Sequence, residues 1–192
     1  DSDDIKMCYQ MLKIIFGHIE KTYHHTGKPA NISWQKVNDD GFISSIRQAQ
    51  DRLNPSLLQN NLLVFTFLTD IISIMIETKK HVYLNGKYLQ DAKALLDKQD
   101  YVQASEKLWG AVAQIIKAIA LNRGKKLRSH TAINTYIVQL AKELNDASIL
   151  DAFSIANSLH QNFYENWLAP ETVIQNAKTI ERLINKLRPL AT

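Results

Sequence analysis

The sequence predicts an all-α protein, an antiparallel up-and-down helical bundle preceded by a helical N-terminal extension. Three observations predict it. Apolar residues recur at three- and four-residue intervals along the 192 positions, the period of an amphipathic helix. Only four prolines and six glycines occur, too few for the frequent turns of an all-β chain. Apolar residues make up 45% and charged residues 22%, the balance of a globular chain and not of a disordered or fibrous one.

Residues 1–85 read as a helical N-terminal region. A helix is expected from Asp3 to Tyr23, capped by Ser2 or Asp3 and stopped by Gly27-Lys28-Pro29, with Ile5, Cys8, Leu12, Ile15, Phe16 and Ile19 on one side. A short helix is expected over Asp40–Leu53, ended by Asn54-Pro55. The next, Ser56–Lys79, is apolar around most of its circumference and should be central, packed on several neighbours or on another subunit. Its apolar run from Leu62 to Ile76 has 15 residues and contains Asp70, so it is too short and too polar to cross a bilayer, and no membrane partner is expected.

Gly86 marks a change, and residues 86–192 read as a bundle of five shorter helices. The first covers Tyr88–Lys98. Asp100 with Gln103 forms a capping box for the second, which runs to Asn122 and ends at Gly124. Ser129 caps the third, Thr131–Leu144. Ser148 with Asp151 forms another box for a helix to Leu168, and Pro170 opens the last, which Pro189 closes. Connections this short favour antiparallel neighbours.

The net charge of +4 is unevenly placed. Residues 1–85 hold nine basic and nine acidic side chains, and the later residues fourteen and ten. Arg123, Lys125, Lys126 and Arg128 fall within six positions. They either solvate a helix end or form a patch for phosphate groups.

Several chemistries are excluded by spacing. No glycine-rich phosphate loop, dinucleotide fingerprint or His-Glu-x-x-His occurs. Cys8 is the only cysteine, so neither an intrachain disulfide nor a cysteine zinc site is possible, which suits a reducing cytoplasm. The chain opens on Asp1-Ser2-Asp3-Asp4 without a basic-then-apolar leader, so no signal peptide is expected. His18, His24, His25 and His81 read as helix-end residues, and no metal or cofactor is expected.

Two positions stand out. At 100° per residue Ile149, Phe153, His160, Tyr164 and Trp167 share one side of a helix, placing an imidazole on the apolar stripe with Asn157 and a phenol beside it. His160 is then either a buried histidine satisfied by a neighbour or a titratable group in a cleft. On the helix after Asp100, the residues Gln103, Glu106, Lys107, Gly110, Gln114 and Lys117 form a polar stripe. It is either solvated or turned to a partner, and a mid-helix glycine there suits close approach by another backbone.

The same residues carry a family resemblance. Tyr88-Leu89-x-x-Ala92, Gln103-Ala104-Ser105-Glu106-Lys107-x-Trp109-Gly110-Ala111, Lys117-Ala118, Ser129-His130 and Leu159-His160-x-Asn162-Phe163-Tyr164-Glu165 resemble the archaeal PaREP1-type proteins over about residues 86–190. That family is grouped with HEPN-like helical bundles. The resemblance implies an antiparallel bundle, frequent homodimers, and association with nucleotides, a nucleotidyltransferase partner or RNA. RNA-cleaving members share an arginine followed after four to six residues by a histidine. Arg123 and His130 have that spacing, whereas Phe153, Ser154 and Ile155 leave His160 without an upstream arginine.

The expected function is therefore a binding or interaction module. Arg123, Lys125, Lys126 and Arg128 would meet phosphate, and Asn157, His160 and Tyr164 would line the cleft. Gln103, Lys107, Gly110 and Gln114 would face a partner. Two alternatives stand beside it: a metal-independent ribonuclease using His130 or His160 with Arg123 and Tyr164, and a purely structural oligomerisation protein.

Overall fold

Asn61–Asp97 form one helix, α1, in the computed structural model of the chain, which describes residues 61–191, with side chains from residue 69 onward. The helices expected over 3–23 and 40–53, with His18, His24 and His25, lie outside the described residues. Two expected helices, ending at Lys79 and starting at Tyr88, are thus continuous. Gly86 costs a helix interior only about 1 kcal/mol relative to Ala, and its φ is not positive, so it does not end the helix.

The chain divides into two compact units, Asp1–Ile76 and Glu77–Thr192. In the first, the described side chains belong to the early turns of α1. Ile72 is buried there, while Ile71, Ile74 and Met75 are exposed.

The second unit holds the rest of α1 and four further helices: α2 (Tyr101–Asn122), α3 (His130–Glu143), α4 (Ser148–Glu165) and α5 (Pro170–Leu187). A 3-10 turn, Arg188–Leu190, follows. The protein is all-α, and no strand occurs among the described residues.

Local chemistry sets most of these boundaries. The Asp100 side chain accepts the Gln103 N–H, and the Ser129 Oγ accepts that of Ala132. Pro170 opens α5, where its missing N–H costs nothing. Gly124, at φ +70°, closes α2: its N–H bonds to Leu121 O and that of Lys125 to Ala120 O. Gln99 and Asn145, also at positive φ, close α1 and α3 in the same way. One expectation is corrected. Ser148 does not cap α4; it is the first helical residue, and Asp146 Oδ1 accepts both its N–H and its hydroxyl.

Contact pairs give the helix directions. Along the α1–α2 seam His81 meets Gln114, Asn85 meets Ala111, Tyr88 meets Gly110 and Asp91 meets Lys107, so the two run antiparallel. Between α3 and α4, His130 touches His160 and Asn134 touches Asn157, again antiparallel. Lys186 pairs with Asp146 and Ser148, which turns α5 back along α4. The strict up-and-down alternation breaks once. His130 begins α3 beside Trp109 and Glu143 ends it beside Arg123, so α3 runs in the same sense as α2. Residues 124–129 carry the chain back along α2 before α3 begins.

The core of this unit is α2. Leu108, Val112, Ile115, Ile116 and Ile119 are buried, and Ala104, Ala111, Ala113, Ala118 and Ala120 let neighbours approach closely. Around it pack Ile133 and Ile137 of α3, Ile149, Phe153 and Leu159 of α4, and Val173, Ile180 and Ile184 of α5. Each fully buried Leu or Ile contributes about 2 kcal/mol from lost apolar surface.

Candidate functional site

Four aromatic rings from three helices meet on one side of α2. The His160 imidazole of α4 stacks on Trp109 with ring centres 4.1 Å apart and planes 18° apart. His130, the first residue of α3, stands edge-on to both, 4.7 Å from Trp109 and 5.1 Å from His160. Tyr164, one turn beyond His160, completes the row at 5.3 Å. Glu106, one turn before Trp109 on α2, accepts a hydrogen bond from His160 Nδ1 at 2.7 Å. That bond leaves Nε2 facing away from the carboxylate, as the nitrogen available to a ligand.

His160 is therefore a satisfied imidazole at the edge of the core, its side chain 19% exposed. Tyr164 and Trp167, expected on the same interior stripe, are 70% and 55% exposed. The stripe is interior only at Ile149 and Phe153. Tyr164 lies in the last turn of α4, and Trp167 follows Asn166, whose left-handed backbone has already ended the helix. Helical spacing no longer directs it. Asn157 is exposed and bonds Asn134 across the α3–α4 seam.

The basic residues lie elsewhere. Arg123 pairs with Glu143 at 2.6 Å, Lys126 with Glu77 at 2.6 Å, and Lys125 donates to Gln139 at 3.2 Å. Arg128 is exposed and has no hydrogen-bond or ion-pair partner among the described residues. Fourteen positions separate Trp109 from Arg123, a rise of about 21 Å along α2. Arg123 and His130, matched by spacing, are consequently held at different levels of the bundle, because residues 124–129 run back along α2 between them.

The polar stripe of α2 meets the chain's own α1. Tyr88 lies over Gly110, where a Cβ would come within 3.0 Å of its ring. Lys107 stands 5.1 Å above the same ring and 3.9 Å from Asp91. Gln114 bonds His81, which sits within α1 and not at a helix end. Asn85, buried, donates to the Ala111 carbonyl at 2.8 Å. Only Gln103 of this predicted face is exposed.

Sequence reasoning singled out neither Trp109 nor Glu106 as site residues, although they are spaced as helix neighbours and Glu106 stood in the stripe. It also assigned no role to Asn162. This buried amide donates to Ser105 Oγ at 3.0 Å and accepts the N–H groups of Trp167 and Leu168 at 2.9 and 2.7 Å. Ser105 in turn donates to the Tyr101 carbonyl. The network ties α4 to α2 directly beneath the rings and fixes the chain reversal that carries Trp167.

Two carboxyls are shifted. The hydrogen bond from Arg123 holds Glu143 below the usual carboxylate value, and that from Lys186 does the same for Asp146. Burial raises the Tyr136 phenol. Among the described residues no group of three His, Cys, Asp or Glu is arranged to hold a metal ion, and no helix is long and apolar enough to cross a membrane.

The family model of the archaeal PaREP1/PaREP8 family matches residues 80–184, which include every helix that contributes to the rings. No curated protein matches the chain significantly, and neither does any solved structure.

Proposed function

The chain belongs to the archaeal PaREP1/PaREP8 family, and from the rings that its helices bring together we propose that it is a HEPN-like binding module for a nucleotide or a segment of RNA. The carrying observation is the contiguous row of Trp109, His130, His160 and Tyr164, open to solvent at Tyr164. A row of this kind offers an unpaired base a stacking surface, worth about 1–3 kcal/mol per base whatever its identity. The free Nε2 of His160 adds one directed hydrogen bond. Arg128, two residues ahead of His130 and unpaired, supplies charge for the attached phosphate.

Titration with adenosine monophosphate and with short single-stranded RNA, followed by tryptophan fluorescence, tests the reading. Binding is expected, and Tyr164→Ala or His160→Ala should weaken it about tenfold. Absence of binding, or binding indifferent to both substitutions, counts against it.

A second reading is favoured by the contact of the two imidazoles. With Glu106 orienting His160 and His130 at 5.1 Å, one ring can take a proton while the other gives one, the requirement for cleaving RNA without a metal. Arg123 has no part in it. Cleavage of RNA in the presence of a chelator, abolished by His130→Ala and by His160→Ala, would establish this activity. Its absence from the wild-type protein would leave binding alone.

A further inference from the structure

Where α2 ends beside the last turns of α3, Arg123 and Gln139 donate to a single carboxylate, and Lys125 donates to Gln139 in turn. Glu143 Oε2 accepts from Arg123 Nη1 at 2.6 Å, and its Oε1 accepts from Gln139 Nε2 at 2.8 Å. Lys125 donates to Gln139 Oε1 and stands 5.8 Å over the Tyr136 ring. Tyr136 itself is only 5% exposed, and its hydroxyl is fully buried with no hydrogen-bond partner. Arg123 lies close enough to this phenol to draw its pKa down, by charge and as a nearby donor, against the effect of burial. A guanidinium can only donate, so the phenol's O–H is left without an acceptor. An unsatisfied hydroxyl in a folded interior costs about 1–3 kcal/mol, and such groups call for an explanation.

We propose that this cluster is a phosphate-binding subsite in which the Glu143 carboxylate holds the place of the oxyanion while none is bound. The donor set fits. A guanidinium and an amide N–H already bond a negatively charged group, and the Lys125 ammonium stands one hydrogen bond away on Gln139. A tetrahedral oxyanion brings a further oxygen that can accept the Tyr136 hydroxyl. Displacing Glu143 is cheap. Its side chain is 41% exposed, and an exposed ion pair of this kind contributes little to stability. The phosphate group regains the Arg123 bond, and Glu143 moves into solvent. The subsite stands about 20 Å along α2 from the ring row and does not depend on it.

Wild type, Glu143→Gln and the double variant Glu143→Gln/Tyr136→Phe are titrated at constant ionic strength with inorganic phosphate, adenosine monophosphate and a short RNA. Removing the competing carboxylate charge should tighten phosphate binding about fivefold, and the added Tyr136→Phe should cancel most of that gain. Equal affinities for adenosine monophosphate and inorganic phosphate would identify a free or terminal phosphate as the ligand. Tighter binding of the RNA, lost with the double variant, would identify the phosphodiester strand. No binding of inorganic phosphate by Glu143→Gln, or the same affinity in all three proteins, overturns the proposal. Unphosphorylated adenosine, titrated in parallel, reports on the ring row alone, so the failure of either site is visible separately.

Discussion

His160 Nδ1 lies 2.7 Å from the Glu106 carboxylate while the face of the same imidazole rests on Trp109. The hydrogen bond fixes the ring's rotation, and the stacking fixes its plane. Glu106→Ala removes the first constraint and keeps the second. The variant should lose about 1 kcal/mol of stability, the worth of one partly exposed hydrogen bond to a charged group. In nitrogen NMR of the neutral ring, wild type should show the proton on Nδ1, and the variant a mixture of both tautomers. An unchanged tautomer would mean that Glu106 does not orient the ring.

Sequence patterns anticipate helix ends far better than they anticipate paths between helices. Asp100, Ser129, Gly124 and Pro170 act through bonds to residues a few positions away, so their roles are legible from spacing. The route of residues 124–129 is not. A connection of that length serves equally for an immediate reversal and for an extended return along α2, and the difference decides whether Arg123 meets His130. Burial of a stripe is legible only while the helix lasts and has a neighbour to pack on. That is why Ile149 lies in the core, Tyr164 in the last turn is exposed, and Trp167 beyond the helix end lies at the surface. The contact of Trp109 with His130 and His160 joins three helices, a convergence that periodicity within any one of them does not encode.

Asn162 gives the ring site its rigidity. Its buried amide satisfies Ser105 on one side and two part-buried backbone N–H groups of the chain reversal on the other. Asn162→Ala removes all three bonds and leaves the buried Ser105 hydroxyl without the donor it accepts from. The expected loss is about 2–4 kcal/mol in urea unfolding, above the cost of an ordinary exposed substitution. Trp167 fluorescence in the folded variant should also become more mobile. A loss below about 0.5 kcal/mol would show that the network does not hold the reversal.

Three glycines should respond differently to the same change. Gly86 has open space around it within α1, so Gly86→Ala should stabilise by about 0.5–1 kcal/mol through helix propensity. Gly124 sits at φ +70°, where a side chain is strained, and Gly124→Ala should destabilise by about 1 kcal/mol. At Gly110 a Cβ meets the Tyr88 ring at 3.0 Å, and Gly110→Val should cost about 2 kcal/mol or more from overpacking. Shortening the ring by Tyr88→Ala in the same chain should recover part of that cost, a non-additive cycle that identifies the contact. Additive effects would mean that the α1–α2 seam does not close on Gly110.

Acid and alkali should weaken the fold through different groups. Arg123 and Lys186 hold Glu143 and Asp146 below their ordinary values of 4.5 and 3.8, so the folded chain keeps these carboxyls ionised after the unfolded chain has taken up protons. Their contribution is complete above the ordinary carboxylate range and disappears as the pH falls through the lowered values. Both pairs face solvent, so the slope should be shallow, and Asp146→Asn should flatten it further. Tyr136 behaves in the opposite sense. Burial raises its phenol above the ordinary 10.0, so the unfolded chain loses the proton first, and stability declines as the pH climbs past that value. Tyr136→Phe should leave the acid limb unchanged and reduce the alkaline one. Unfolding midpoints measured across the pH range in the two variants check both halves, and an alkaline limb unaltered by Tyr136→Phe would mean that other groups carry it.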